Sequence, residues 1–135
     1  MSLFGNYLQD QCVGRWSYSI NGSITLLGVP LVPYEVFKTN NEEVFIRKSG
    51  STGLEISFLG VSKLFRLNGH NLSADPDYDE DYSDDGITTN YSNYYSGQVI
   101  SRSLIKITRR IEGSWRNRWG ESGRAVGEAI ITLKR

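Results

Sequence analysis

Apolar and polar residues alternate with a period of two along most of this chain, the pattern of β-strands with one buried and one wetted face. Trp16, Tyr18 and Ile20 interleave with Arg15, Ser17 and Ser19. Asn21-Gly22 then reads as a tight hairpin turn, because both central residues of such a turn need positive φ, and Ile24 to Leu27 leads out of it. Pro30 and Pro33 remove two ladder donors, so the next strand is expected to begin at about Tyr34 or to lie at an edge until then. Tyr34 to Lys38, Val44 to Lys48, Leu54 to Leu59 and Lys63 to Leu67 follow as short strands. Thr39-Asn40-Asn41-Glu42, the Ser49 to Gly53 run and Gly60-Val61-Ser62 are read as the turns between them. Leu54, Ile56 and Phe58 share one face and Glu55 and Ser57 the other, as in a sheet wetted on one side.

From Asn68 to Ser96 the alternation dissolves into Asp, Ser, Asn, Gly and Tyr. This predicts a long acidic, tyrosine-rich loop at about 69–97, with one weak strand from Ile87 to Tyr95. The last third is the most regular. Val99, Ser101, Ser103, Ile105, Ile107 and Ile111 share one face against Arg102, Lys106 and Arg110, and Gly113 marks a kink or bulge. Trp115 and Trp119 are placed opposite Arg116 and Arg118, Gly120 to Gly123 form a turn, and Ala125, Gly127, Ala129, Ile131 and Leu133 line one face of a final strand. Ahead of everything, Leu3, Tyr7 and Leu8 fit one side of a short helix. Eight or nine strands joined by tight turns predict an all-β fold: an antiparallel up-and-down barrel with a short N-terminal helix, closed so that no edge is left exposed.

The 135 residues suit a single domain spanning 1–135. No apolar run approaches the ~18 residues of a membrane helix, and Met1 to Val13 lacks the basic start and long apolar stretch of an export signal. A cytoplasmic location without a membrane partner is expected. Cys12 is the single cysteine, which excludes an internal disulfide and a thiolate metal cluster. Net charge is zero but unevenly placed: Asp75 to Asp85 holds seven acids and no base, and Gln98 to Arg135 holds nine bases and three acids. Either the basic part meets an anionic partner, or the acidic segment lies over a basic face of the same molecule.

Candidate chemistry is sparse. Alternation places Arg109 between Ile107 and Ile111 on the inward face. Buried there, it needs an acid of the protein or an anionic ligand; a bulge or a place at the rim would instead carry it to solvent. Trp115-Arg116-Asn117-Arg118-Trp119 has the aromatic and basic interleaving that stacks single-stranded nucleic acid. It also describes an amphipathic strand, and the pI of about 6.6 favours that reading over a nucleic-acid partner. The Asp77-Tyr-Asp79-Glu-Asp81 run approaches a calcium loop, but Tyr82 stands where the loop glycine belongs and Thr88 where the bidentate glutamate belongs, so no metal site is predicted. His70, the single histidine, sits in a turn sequence. No phosphate-binding glycine loop or zinc spacing occurs, and Glu35, Glu55 and Glu128 fall on polar faces, so neither a cofactor nor a catalytic residue is assigned.

Gly14-Arg15-Trp16 on the first strand, after a short helix, resembles the G-x-W motif that opens lipocalins and related calycin barrels, and Thr89-Asn90-Tyr91-Ser92-Asn93-Tyr94 is similar to their T-D-Y-x-x-Y motif. The resemblance implies a barrel with an internal cavity and a basic residue from late in the chain packed over Trp16, for which Arg109 and Arg124 are the candidates. Lipocalins are mostly exported and often disulfide-linked, and the intracellular fatty-acid-binding branch inserts two helices after the first strand. No specific ligand is therefore carried over.

The expected function is non-enzymatic binding of a small hydrophobic or amphipathic ligand inside the barrel, lined by Trp16, Tyr18, Tyr34, Ile56 and Phe58, with Arg109 placed for an acidic group. The small residues Ala125, Gly127 and Ala129 leave room either for a ligand or for tryptophans opposite them. Two alternatives remain: an isomerase or cyclase using the same cavity, and a protein-interaction or inhibitor module presenting Asn68 to Ser96, whose five tyrosines lie among small polar residues.

Overall fold

A computed structural model describes residues 3–28, 35–58, 61–83 and 86–135. Helix α1 (Leu3–Cys12) precedes β1 (Gly14–Leu26), β2 (Glu35–Ser49), β3 (Gly53–Phe58), β4 (Val61–Asn68), β5 (Asn71–Ser73), β6 (Asp77–Tyr82), β7 (Ile87–Ser101), β8 (Leu104–Asn117) and β9 (Ser122–Lys134). Every pairing is antiparallel, and β9 returns to pair with β1. β5 and β6 lie end to end along β7, β5 against Ser96 to Gln98 and β6 against Thr88 to Asn93, so together they fill one place in the ring. The result is the expected closed up-and-down barrel, with eight places around its circumference, although among the described residues β6 and the Glu35 to Val44 part of β2 each keep one edge unshared.

Several elements differ from the pattern reading. Asn21-Gly22 is not a turn: β1 runs straight through it, with Gly22 opposite Phe37 on one side and Ala129 on the other. A Cβ at Gly22 would fall into the backbone of Glu128 and Ala129, so the glycine is there for close approach of β9 rather than for positive φ. Thr39 to Glu42 is not a turn either. Tyr18 pairs with Glu42 and Ile20 with Thr39, which leaves one extra residue in β2, a bulge inside a single long strand. The segment read as a loop at about 69–97 is mostly strand, in β5, β6 and β7. Ser101 to Leu104 turns the chain between β7 and β8 where a continuous face was expected. Register runs unbroken through Gly113, without a bulge, and the following turn falls at Asn117 to Glu121. Trp119 lies in that turn, 70% exposed, instead of sharing the inner face with buried Trp115. Pro30, Pro33 and Tyr34 lie outside the described residues.

Inward residues form two cores. At one end Trp16, Val44, Ile46, Leu54, Ile56 and Phe65 pack with Ile105 and Leu133; each aliphatic side chain so buried contributes roughly 1.5–3 kcal/mol relative to exposure. α1 packs against β2, β3 and β4 at this end, where the Gln9 amide donates to Gly50 O (3.1 Å) and Gly53 O (2.8 Å) in the β2–β3 turn. At the other end Ile24, Leu26, Tyr91, Ile111 and Trp115 pack over Ala125, and Trp115 Nε1 donates to Leu27 O at 2.9 Å. The glycines of β9 allow close approach of their neighbours: a Cβ at Gly127 would strike the β1 backbone at Ser23 O, and one at Gly123 would lie 2.5 Å from Leu27 O and 2.6 Å from Trp115 Nε1.

Candidate functional site

By strand position, the stretch between the two cores carries mixed residues, and there the barrel holds a cavity of ≈ 460 Å³. Tyr18 and Ile20 of β1, Phe58 of β3 and Ile131 of β9 form its apolar side; Tyr18 and Phe58 meet edge to face, centroids 5.3 Å apart. Lys63 of β4, Asp77 of β6, Tyr95 of β7 and Arg109 of β8 form the opposite, polar side. Val36, Lys38 and Thr39 of β2 stand at the mouth, with Val36 and Lys38 exposed. Among the described residues, β2 is paired only with β1 from Glu35 to Val44, and β6 only with β7, so the cavity opens between two unshared strand edges.

The polar side is one connected network. Lys63 Nζ donates to Asp77 Oδ2 at 2.9 Å and to Asp75 O at 2.8 Å, and lies 4.7 Å from the centre of the Tyr95 ring. Tyr95 donates its hydroxyl proton to Asp77 Oδ2 at 3.1 Å. Asn93, fully buried, donates to Asp77 Oδ1 (2.6 Å) and Asp79 Oδ2 (2.8 Å), and its carbonyl accepts from Arg109 Nε (2.8 Å). Arg109 Nη2 completes the circuit 3.7 Å from Asp79 Oδ2. Burial by itself would raise the Asp77 carboxyl, but the bonds from Lys63, Asn93 and Tyr95 and the Lys63 charge together hold it below the usual carboxylate range. Burial, and then the Asp77 charge, push the Tyr95 hydroxyl well above the ordinary tyrosine value, and burial with Glu42 pushes Tyr18 up as well.

Of the residues expected to line a ligand site, Tyr18, Phe58 and Arg109 line this cavity. Trp16 and Ile56 are buried in the core nearer α1, away from the cavity lining, and Tyr34 lies outside the described residues. The inward placement of Arg109 is as alternation predicts, and its partners include the protein's own Asp79 and Asn93. Lys63, Asp77 and Tyr95 were missed. The parity argument that singled out Arg109 applies equally to Lys63, which shares its face of β4 with Phe65 and Leu67. The acidic segment meets bases of the same molecule: Asp75 pairs with Arg66, Asp77 with Lys63 and Asp79 with Arg109.

Elsewhere, neither Arg109 nor exposed Arg124 covers Trp16; Arg135 does, its guanidinium carbon 4.2 Å from the ring centre. It also donates to Val13 O (3.2 Å), Gln11 O and Arg102 O (2.9 Å), while Trp16 Nε1 donates to Cys12 O at 2.8 Å. Burial pushes the Cys12 thiol up to about 11 against the opposing pull of Arg135. His70 Nδ1 bonds to Val99 O at 3.2 Å in its turn, and Glu128 is exposed. Among the described residues no group of three or more His, Cys, Asp or Glu is placed to hold a metal ion, and no helix is long and apolar enough to cross a membrane.

Fold and site together define a closed antiparallel β-barrel with a side-opening cavity, apolar on one wall and ion-paired on the other. Comparison with protein-family models, curated proteins and solved structures finds no significant match to the chain.

Proposed function

We propose that the barrel binds a small hydrophobic or amphipathic molecule in this cavity without transforming it. The observation that carries the reading is the cavity itself: ≈ 460 Å³ kept open between two packed cores, within the size range of small-molecule sites and with their mixture of apolar wall and few polar groups. Tyr18, Phe58 and Ile131 supply the apolar contact, and Tyr95 and Arg109 the polar one. The likeness to calycin barrels belongs to the same proposal, and Arg135 packed over Trp16 supports it. So does the closed eight-place ring. A cytoplasmic setting is likewise proposed, on the single cysteine of the chain.

The isomerase or cyclase reading gains no support from Asp77, whose carboxyl is held low, whereas a general base for work near neutral pH is tuned upward. A protein-interaction reading has one observation in its favour. Tyr78 and Tyr82, 63% and 72% exposed, stand on the outer face of β6 within the segment singled out for that role.

The test is saturable uptake of the uncharged apolar dye N-phenyl-1-naphthylamine, read by its fluorescence, together with native mass spectrometry of freshly purified protein. Thr39→Trp, which fills the mouth from a half-buried position, is expected to lower the dye's affinity at least tenfold while circular dichroism stays unchanged. Absence of saturable uptake by the parent protein, with a clean apo mass, overturns the proposal.

A further inference from the structure

The cations that reach the cavity interior are already matched. Lys63 and Arg109, 21% and 15% exposed, each face a carboxylate of the chain, Asp77 at 2.9 Å and Asp79 at 3.7 Å. Asn93 ties the two pairs together with a hydrogen bond to each acid and one from Arg109, so two bases and two acids are held in one network. An acidic ligand group entering here meets the ionised Asp77, and the two bases further in already face carboxylates of the chain. A cationic group meets the mirror problem at Lys63 and Arg109. A neutral hydroxyl, carbonyl or amide meets neither, and the Tyr95 hydroxyl, which donates its own proton to Asp77, keeps its oxygen as an acceptor for such a group. Lys38 adds a positive charge only at the mouth, where it is exposed and its field is screened by solvent.

We infer that the cavity selects an uncharged, largely apolar molecule with a neutral hydrogen-bonding group, and discriminates against amphipathic anions. This rests on the binding reading above and departs from the expectation that Arg109 is placed for an acidic ligand group.

The test compares two dyes that differ by one charge, N-phenyl-1-naphthylamine and 8-anilinonaphthalene-1-sulfonate, on the intact protein. The neutral dye is expected to bind at least tenfold more tightly, and Thr39→Trp to abolish that difference. Asp77→Asn, and independently Asp79→Asn in case the first does not fold, leave the network with a net positive charge and are expected to shift the preference at least tenfold toward the sulfonate. Equal or tighter binding of the sulfonate by the parent protein overturns the ligand class while leaving the cavity reading intact. An unchanged preference in both folded variants overturns the charge argument. Uptake of neither dye removes both proposals.

Discussion

At Asn93 a side-chain amide without solvent access makes three hydrogen bonds to charged groups, two to carboxylates and one from a guanidinium. Such bonds are stronger than those between neutral groups, and removing one partner leaves the others desolvated and short of a bond. Asn93→Ala is therefore expected to lower stability by about 2–3 kcal/mol in urea titrations. Four positions earlier on β7, and on the same face as Asn93, the opposite case occurs at Thr89, whose Oγ1 is buried without a hydrogen-bond partner. Thr89→Val keeps the shape and removes that unsatisfied group, so it is expected to be neutral or to stabilise by about 1 kcal/mol in the same titration. Alternation showed that Arg109 points inward, but it could not show which acid waits there, because Asp79 lies thirty residues away in a segment without an apolar pattern.

β1 illustrates how an element is misread. Asn-Gly is a strong short-range hairpin signal because it supplies positive φ, yet the lack of a Cβ serves just as well where a neighbouring backbone comes too close for one. In β1 the second use applies, since Gly22 touches the backbone of β9. Gly22→Val is expected to push β1 from β9 and lower the melting temperature severely, and Asn21→Thr, exposed and within an extended strand, to change stability by no more than about 0.5 kcal/mol. Were the pair a turn, both substitutions would be harmful. β6 was hidden for a different reason. Its period of two is present but inverted, with Asp77 and Asp79 turned to internal bases and Tyr78 and Tyr82 turned to solvent, so it reads as polar loop when burial of apolar residues is the only criterion.

For the whole molecule, the ion-paired wall links stability to pH. Asp77 is held below its unfolded value, so its contribution is present above about pH 3.9 and is lost as pH falls through the lower folded value. Tyr95 is shifted the other way: its contribution is full below about pH 10 and is lost as pH rises toward the higher folded value. Urea midpoints are expected to be level between these limits as far as the two groups are concerned, and to fall outside them. Asp77→Asn is expected to shrink the acid limb and Tyr95→Phe the alkaline one, where buried Cys12 and Tyr18 continue to contribute.

The amino-acid pattern alone determined that the chain is all-β, that a short helix fits ahead of it, and that Trp16, Tyr18, Ile56, Phe58 and Ile105 face inward, because the alternation of side chains is a local consequence of extended backbone. Tertiary structure alone decided that β5 and β6 share one place in the ring, that Arg135 rather than Arg109 or Arg124 covers Trp16, and that Lys63, Asp77, Asn93 and Tyr95 join in one ion-paired network beside a cavity. Those outcomes depend on the register of strands far apart along the chain. A period of two carries no information about which residue on one strand comes to stand beside which residue on another.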